Sequence, residues 1–261
     1  MTKKLKNKVI IEKPQYITKP NGTKVLVIAP HPDDEVIGCG GTLLKHISCG
    51  DKVLICYITS TINSKCDRRQ EALNANRIME VTKSVFFYMD EKAEVINDII
   101  IEKLSEIIVD FAPEIIYVPH ILERHIDHLN SNILLYYSLL KIKNSNHNIK
   151  VYCYEVWTTL VPNCVVNITD YNEKKIETLL MYQSQLNQYD YVKLVDSLGR
   201  LRCNMFYPDK REYNIVINDY RFSQKYCNKT NVPWTHAEAF TMYKIIEYKQ
   251  LINDLLLEEN K

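Results

Sequence analysis

The residues best suited to chemistry fall in two short clusters. Ala29-Pro30-His31-Pro32-Asp33-Asp34-Glu35 packs one imidazole and three carboxylates into five positions, and Arg124-His125-Ile126-Asp127-His128 adds two imidazoles and a fourth carboxylate. Imidazole and carboxylate suit zinc, whose catalytic sites use three protein ligands and keep one position open. A carboxylate outside the ligand set can take a proton from water, and a neighbouring histidine can stabilise an oxyanion or protonate a leaving amine. The pattern predicts a zinc centre holding His31, His128 and one aspartate of the Asp33, Asp34 pair. The other aspartate then serves as general base, His125 as the acid–base histidine, and Asp127 orients a histidine from behind. Residue types alone do not choose between Asp33 and Asp34.

Both clusters follow apolar runs of strand length. Lys24–Ala29 (KVLVIA) reads as a strand buried on both faces, and Ile115–Val118 as another. Further strands are expected over Val53–Thr59, Ser84–Met89 and Lys150–Thr158. Helical spacing appears over Asp67–Val81, Ile96–Phe111, Leu129–Leu140, Glu173–Tyr182 and Phe240–Leu257. Gly38-Cys39-Gly40-Gly41 reads as a tight turn, with a helix beginning at Gly41–His46. Strands alternating with helices predict βαβ units, and hence a Rossmann-like three-layer α/β sandwich around a mainly parallel sheet. Ligands of such sheets bind beyond the carboxyl ends of the strands, where both clusters lie. Residues 1–22, closing on Pro20-Asn21-Gly22, read as an arm, and 23–261 as a single domain. The stretch 190–235 reads as irregular and is expected to cover the site and set specificity.

The bulk properties narrow the partners. Among 261 residues, 33 lysines and arginines nearly cancel 32 aspartates and glutamates, leaving a net charge of +1 and no broad field to hold nucleic acid. No apolar run reaches the length of a membrane span or a secretory leader. Eight cysteines without a CxxC pair read as free thiols in a reducing compartment, so a soluble, cytoplasmic protein acting on a small molecule is expected. Nothing in the sequence indicates the oligomeric state.

The two clusters also resemble a known family. PHPDDE after a strand, the following GCGGTL, and RHIDH after a later strand look like the LmbE/PIG-L family of zinc-dependent N-acetylglucosaminyl deacetylases. Arg68-Arg69-Gln70-Glu71-Ala72, Phe111–Ile116, Ser184-Gln185 and Ala237-Glu238-Ala239-Phe240 extend the resemblance along the chain. It implies an LmbE-like fold and hydrolysis of an N-acetyl amide on an amino sugar or sugar conjugate. It also implies His31, Asp34 and His128 as metal ligands, Asp33 as general base and His125 as the catalytic histidine. Arg68, Arg124 and His236 are expected to contact substrate. Ile126 stands where the family usually has proline, which alters only the turn. Thr59–Asp67 lacks the glycine-rich loop of the thiol-sugar branch, which argues against a bacillithiol precursor as substrate. Two rival readings are a zinc-containing carbohydrate binder without catalysis, and a methyltransferase whose glycine turn cradles a nucleoside.

Overall fold

The computed structural model describes residues 14–258 apart from 18, 60–61, 64–65, 90–95, 143–147 and 207–233. In chain order its elements begin with β1 (Gln15–Ile17), β2 (Lys24–Ala29), α1 (Asp34–Ser48) and β3 (Lys52–Thr59). A short hairpin, β4 (Ile62–Asn63) and β5 (Cys66–Asp67), leads to α2 (Arg68–Met79), β6 (Lys83–Met89), α3 (Asp98–Phe111) and β7 (Ile115–Pro119). Next come α4 (Ile126–Lys141), β8 (Lys150–Tyr154), β9 (Cys164–Asn167), α5 (Asn172–Leu179) and α6 (Gln183–Leu186). The series closes with α7 (Tyr191–Phe206), β10 (Ala237–Lys244) and α8 (Ile245–Glu258).

Eight strands form one open sheet in the order β1-β9-β10-β8-β7-β2-β3-β6. Every pairing is parallel except those of β10, which runs antiparallel to both β8 and β9. The central strands are buried on both faces because apolar side chains alternate between two helical layers. Val25, Val27 and Ala29 of β2 pack in the core shared with α1, α2, α5 and α7, whereas Leu26 and Ile28 pack in the core shared with α3, α4 and α8. This is the expected three-layer sandwich.

Four expectations need correction. Helix α1 begins at Asp34, not near Gly41, so the glycine cluster lies inside a helix and not in a turn. Its glycines serve close packing: a Cβ on Gly38 would come within 2.1 Å of the Tyr154 ring, and one on Gly41 within 2.7 Å of Ile168. Lys150–Tyr154 ends its strand four residues early. The stretch expected as helix from Phe240 is first the strand β10, whose Ala237–Phe240 are buried and which pairs with both β8 and β9. Finally, the region expected to be irregular from residue 190 contains the sixteen-residue α7, while 207–233 lies outside the described residues. The expected arm also supplies β1, which extends the sheet edge by pairing with β9.

Candidate metal centre and active site

Strands β2 and β7 are neighbours, so the loops leaving their carboxyl ends emerge side by side. The first loop carries His31–Asp33 into α1, and the second carries Glu123–His125 into α4. Asp33 takes the position before α1 with φ 124°, a backbone conformation that non-glycine residues rarely adopt. Two features over-determine it. The Asp33 N–H donates to Glu35 Oε2 at 3.1 Å, and the Asp33 carbonyl accepts from Val36 and Ile37 at 3.0 and 2.9 Å. Glu35 is itself fully buried, its other oxygen accepting the hydroxyls of Tyr57 (3.0 Å) and Tyr182. Burial pushes the Glu35 carboxyl up to about 7, against the hydrogen bonds of Tyr182 and Tyr57.

The two loops meet at one carboxylate oxygen. Asp34 Oδ2 lies 3.1 Å from His31 Nδ1 and 3.3 Å from His128 Nε2, and also accepts the His31 backbone N–H at 2.9 Å. The far nitrogen of His31, Nε2, is 3.0 Å from Asp127 Oδ2, so Asp127 orients His31. His125 sits at the head of α4 and its Nδ1 accepts the Asp127 N–H at 3.3 Å. A neutral His125 ring therefore carries its proton on Nε2. The rings of His31 and His125 are 4.7 Å apart edge to face, and nitrogens of His31, His125 and His128 all lie within 4.8 Å of one another. Arg68 Nη2 donates to the Pro32 carbonyl at 2.9 Å and lies 3.5 Å from Asp33 Oδ1.

The electrostatics follow from carboxylates crowded away from water. Burial opposes charging the His31 ring, but its hydrogen bonds to Asp127 and Asp34 outweigh that and hold it up to about 10. Burial also works to raise Asp34, yet His128 and His31 prevail and hold its carboxyl far below the usual range. Burial and the neighbouring Asp34 charge raise Asp33, with Arg68 opposing them. Burial lowers His125. The donor set fits a divalent metal by type. It also fits by valence: His128 is wholly buried, and among the described residues neither of its ring nitrogens has a partner in hydrogen-bond geometry, Asp34 Oδ2 being near Nε2 at 3.3 Å without that alignment.

His31, Asp33, Asp34, Arg68, Arg124 and His125 all line one cavity of about 490 Å³. Asp127 and His128 stand behind it, buried. His236 does not line that cavity: its ring lies between Asp196 of α7 and Thr235, 2.9 Å from each. Glu238 anchors α1, accepting the Gly41 and Thr42 N–H groups at 2.8 Å and pairing with Lys175 at 2.7 Å. Sequence reasoning passed over two carboxylates. Glu35 was read only as part of the acidic run, although a third acid after two others signals a different task for each. Glu123 went unremarked, and its buried carboxylate accepts the N–H groups of Val156, Trp157 and Thr158. Its Oε2 lies 3.9 Å from His128 Nδ1.

The chain is similar to several known proteins. Residues 26–136 match the family model described as PIG-L: GlcNAc-PI de-N-acetylase. Over 114 residues the chain is 31% identical to a protein of Escherichia coli strain K12 named uncharacterized deacetylase YaiS, covering 40% of this chain and 62% of that protein's length. The N,N'-diacetylchitobiose deacetylase from Pyrococcus horikoshii, solved with its inhibitor MPG, superimposes with a TM-score of 0.66 at 20% identity, covering 87% of this chain and 86% of its own. The 4-carboxy-2-hydroxymuconate hydratase GalB from Pseudomonas putida KT2440 superimposes with a TM-score of 0.64 at 16% identity, covering 84% and 95%. Structural likeness at these identities speaks for the fold, and one fold here hosts two reactions.

Proposed function

We propose that this chain, whose residues 26–136 belong to the PIG-L family, hydrolyses an N-acetyl amide on an amino sugar or sugar conjugate, releasing acetate and a free amine. The observation that carries the reading is the meeting of His31 Nδ1 and His128 Nε2 on Asp34 Oδ2, with Asp33 adjacent and turned into the cavity by a strained backbone. His31, Asp34 and His128 would hold zinc. Asp34 is preferred to His125 as third ligand because it is buried between the two imidazoles, whereas His125 faces the cavity and its Nδ1 caps α4. Bound zinc supplies a lowered pKa for water and polarisation of the amide carbonyl.

The rest of the chemistry falls to the chain. Asp33 accepts the proton of the attacking water, and Arg68 steadies that carboxylate from the side. His125 presents Nε2–H toward the cavity and donates to the oxygen that gains charge, while the proton that Asp33 took from water passes to the departing nitrogen. Asp127 fixes the tautomer of His31. Arg124, exposed at the cavity rim, is suited to substrate hydroxyl or carboxylate groups. The partner is thus a small molecule. Among the described residues no helix is long and apolar enough to cross a membrane. Free cysteines at 39, 49, 56, 153, 164 and 203 support a cytoplasmic setting.

The test is acetate release from N-acetylated amino sugars, offered free, nucleotide-linked and lipid-linked, with metal content measured alongside. Asp33→Ala is expected to keep about one zinc per chain while turnover falls by about two to four orders of magnitude. A fully active Asp33→Ala protein overturns the mechanism. Saturable sugar binding with no acetate release from any substrate favours the non-catalytic binder instead.

A further inference from the structure

The same cavity has a second kind of wall. Beyond the carboxylates and imidazoles it is lined by Trp157, Tyr189 and Tyr191. Their ring centroids form a triangle with sides of 5.5, 5.6 and 5.7 Å, each pair tilted or edge to face. The triangle is graded in exposure. Tyr191 is 5% exposed, while Trp157 is 44% and Tyr189 57% exposed. Tyr191, the buried ring, is the innermost of the three and lines the cavity together with Asp33 and Asp34. The other two rings continue outward from it.

The outer rings are held ready. Glu123 accepts the backbone N–H groups of Val156, Trp157 and Thr158, so the segment bearing Trp157 is tied to the loop that also carries Arg124 and His125. On the facing side, the Tyr189 N–H donates to the Gln185 carbonyl at 3.1 Å and the Tyr191 N–H to the Tyr189 carbonyl at 2.9 Å, fixing the turn into α7. Indole and phenol rings that serve packing alone are normally covered, because their area is what stabilises the fold. Rings left half bare at the mouth of a polar cavity, on anchored backbone, are preorganised for a ligand.

We propose that Trp157, Tyr189 and Tyr191 form a stacking subsite for a second sugar ring, so that the preferred substrate is an N-acetylated disaccharide or longer glycoside and not a free monosaccharide. A sugar ring suits the wall better than an acyl chain, since it offers an apolar C–H face to the aromatic rings. Its hydroxyls meet Arg124 and Gln185, which line the same cavity. Pockets of roughly 300–1,000 Å³ enclose ligands of drug size, and this one, at about 490 Å³, has room for two rings. The proposal rests on the deacetylase reading of the site. Stacking away from the scissile bond also assists the reaction, because remote binding energy helps hold the amide for attack.

Two measurements test it on the full chain loaded with zinc. The first compares kcat/KM for N-acetylglucosamine and N,N'-diacetylchitobiose in the wild type, Trp157→Ala and Tyr189→Ala. The wild type is expected to favour the disaccharide, and each variant to lower that preference by about three- to tenfold. The second follows tryptophan fluorescence in Asp33→Ala, where no turnover intervenes. Disaccharide should give a saturable change that weakens on adding Tyr189→Ala and is lost on adding Trp157→Phe, which keeps a packed ring. Equal wild-type preference for the two sugars, or variants that lower both substrates alike, overturns the subsite. If no substrate releases acetate but the fluorescence change appears and follows Trp157, the subsite stands and the catalytic reading fails.

Discussion

Helix α1 has a buried histidine against an aspartate at each end, and the two behave in opposite ways. His31, just before its first turn, is hydrogen-bonded to Asp34 and Asp127 and is held up to about 10. His46, in its last turns, lies 2.8 Å from Asp51, yet burial drives it down to about 4. The difference lies in the surroundings. Two carboxylates flank the His31 ring, with Asp33 adding its charge. Asp51 is shared with Lys19, whose ammonium opposes a second positive charge on His46. The remaining nitrogen of His46 is 3.0 Å from the Tyr117 hydroxyl, which a neutral ring satisfies as acceptor while its other N–H serves Asp51. One end is therefore built to attract a cation, and the other to keep an imidazole neutral as an internal brace.

The sharpest break in this contrast comes from removing the carboxylate beneath the His31 end. Glu35→Ala strips the acceptor from the Tyr182 hydroxyl and the Asp33 N–H, and leaves the Tyr57 hydroxyl only Asn76 Oδ1, 3.0 Å away. An unfolding free energy lower by about 4 kcal/mol is expected, from the usual penalty of orphaning several buried donors. Denaturant titration reads this directly. A value near zero would mean that Asp33 keeps its strained backbone without Glu35.

At the opposite end the prediction concerns pH. The unfolded His46 binds its proton near 6.5 and the folded one near 4, so between those values the unfolded chain takes up more protons. Stability from this residue is complete above about 6.5 and is lost as pH falls toward 4. The loss approaches about 3 kcal/mol for a shift of this size. Denaturation midpoints at pH 7 and pH 5 should therefore differ more in the wild type than in His46→Gln, whose amide keeps both hydrogen bonds. Parallel slopes would count against a neutral buried His46.

The smallest effect separates the two aspartates. Asp127→Asn removes the charged partner at His31 Nε2 while Asp34 stays at Nδ1, and zinc affinity in a competition titration should drop by about ten- to a hundredfold. Asp51→Asn, at the far end of α1, should leave zinc affinity unmoved. Equal losses from both would erase the distinction between the ends.

Much of the site was legible because its residues are close in sequence and their types are uncommon together. His31, Asp33 and Asp34 fall within four positions, His125, Asp127 and His128 within four more, and the apolar runs before each revealed a strand ending there. The resemblance to a deacetylase family chose Asp34 over Asp33, a choice that residue types left open. The helix start at Asp34 was missed because glycines at 38, 40 and 41 weaken local helix preference, whereas tertiary packing against Tyr154 and Ile168 requires their small size. The strand within Ala237–Lys244 was missed because its period became clear only beside β8 and β9.

By itself the sequence determined which strands are apolar on both faces and which short segments follow them, since strand burial and ligand chemistry are written in consecutive residues. Only the tertiary structure decided that Asp127 serves His31, that His236 turns to Asp196, and that Glu123 joins the Trp157 segment to the loop before α4. These pairings depend on side chains from distant elements meeting in three dimensions. Hydrogen-bond direction and the sign of a proton shift are fixed by what surrounds a group, and the neighbours along the chain carry little of that information.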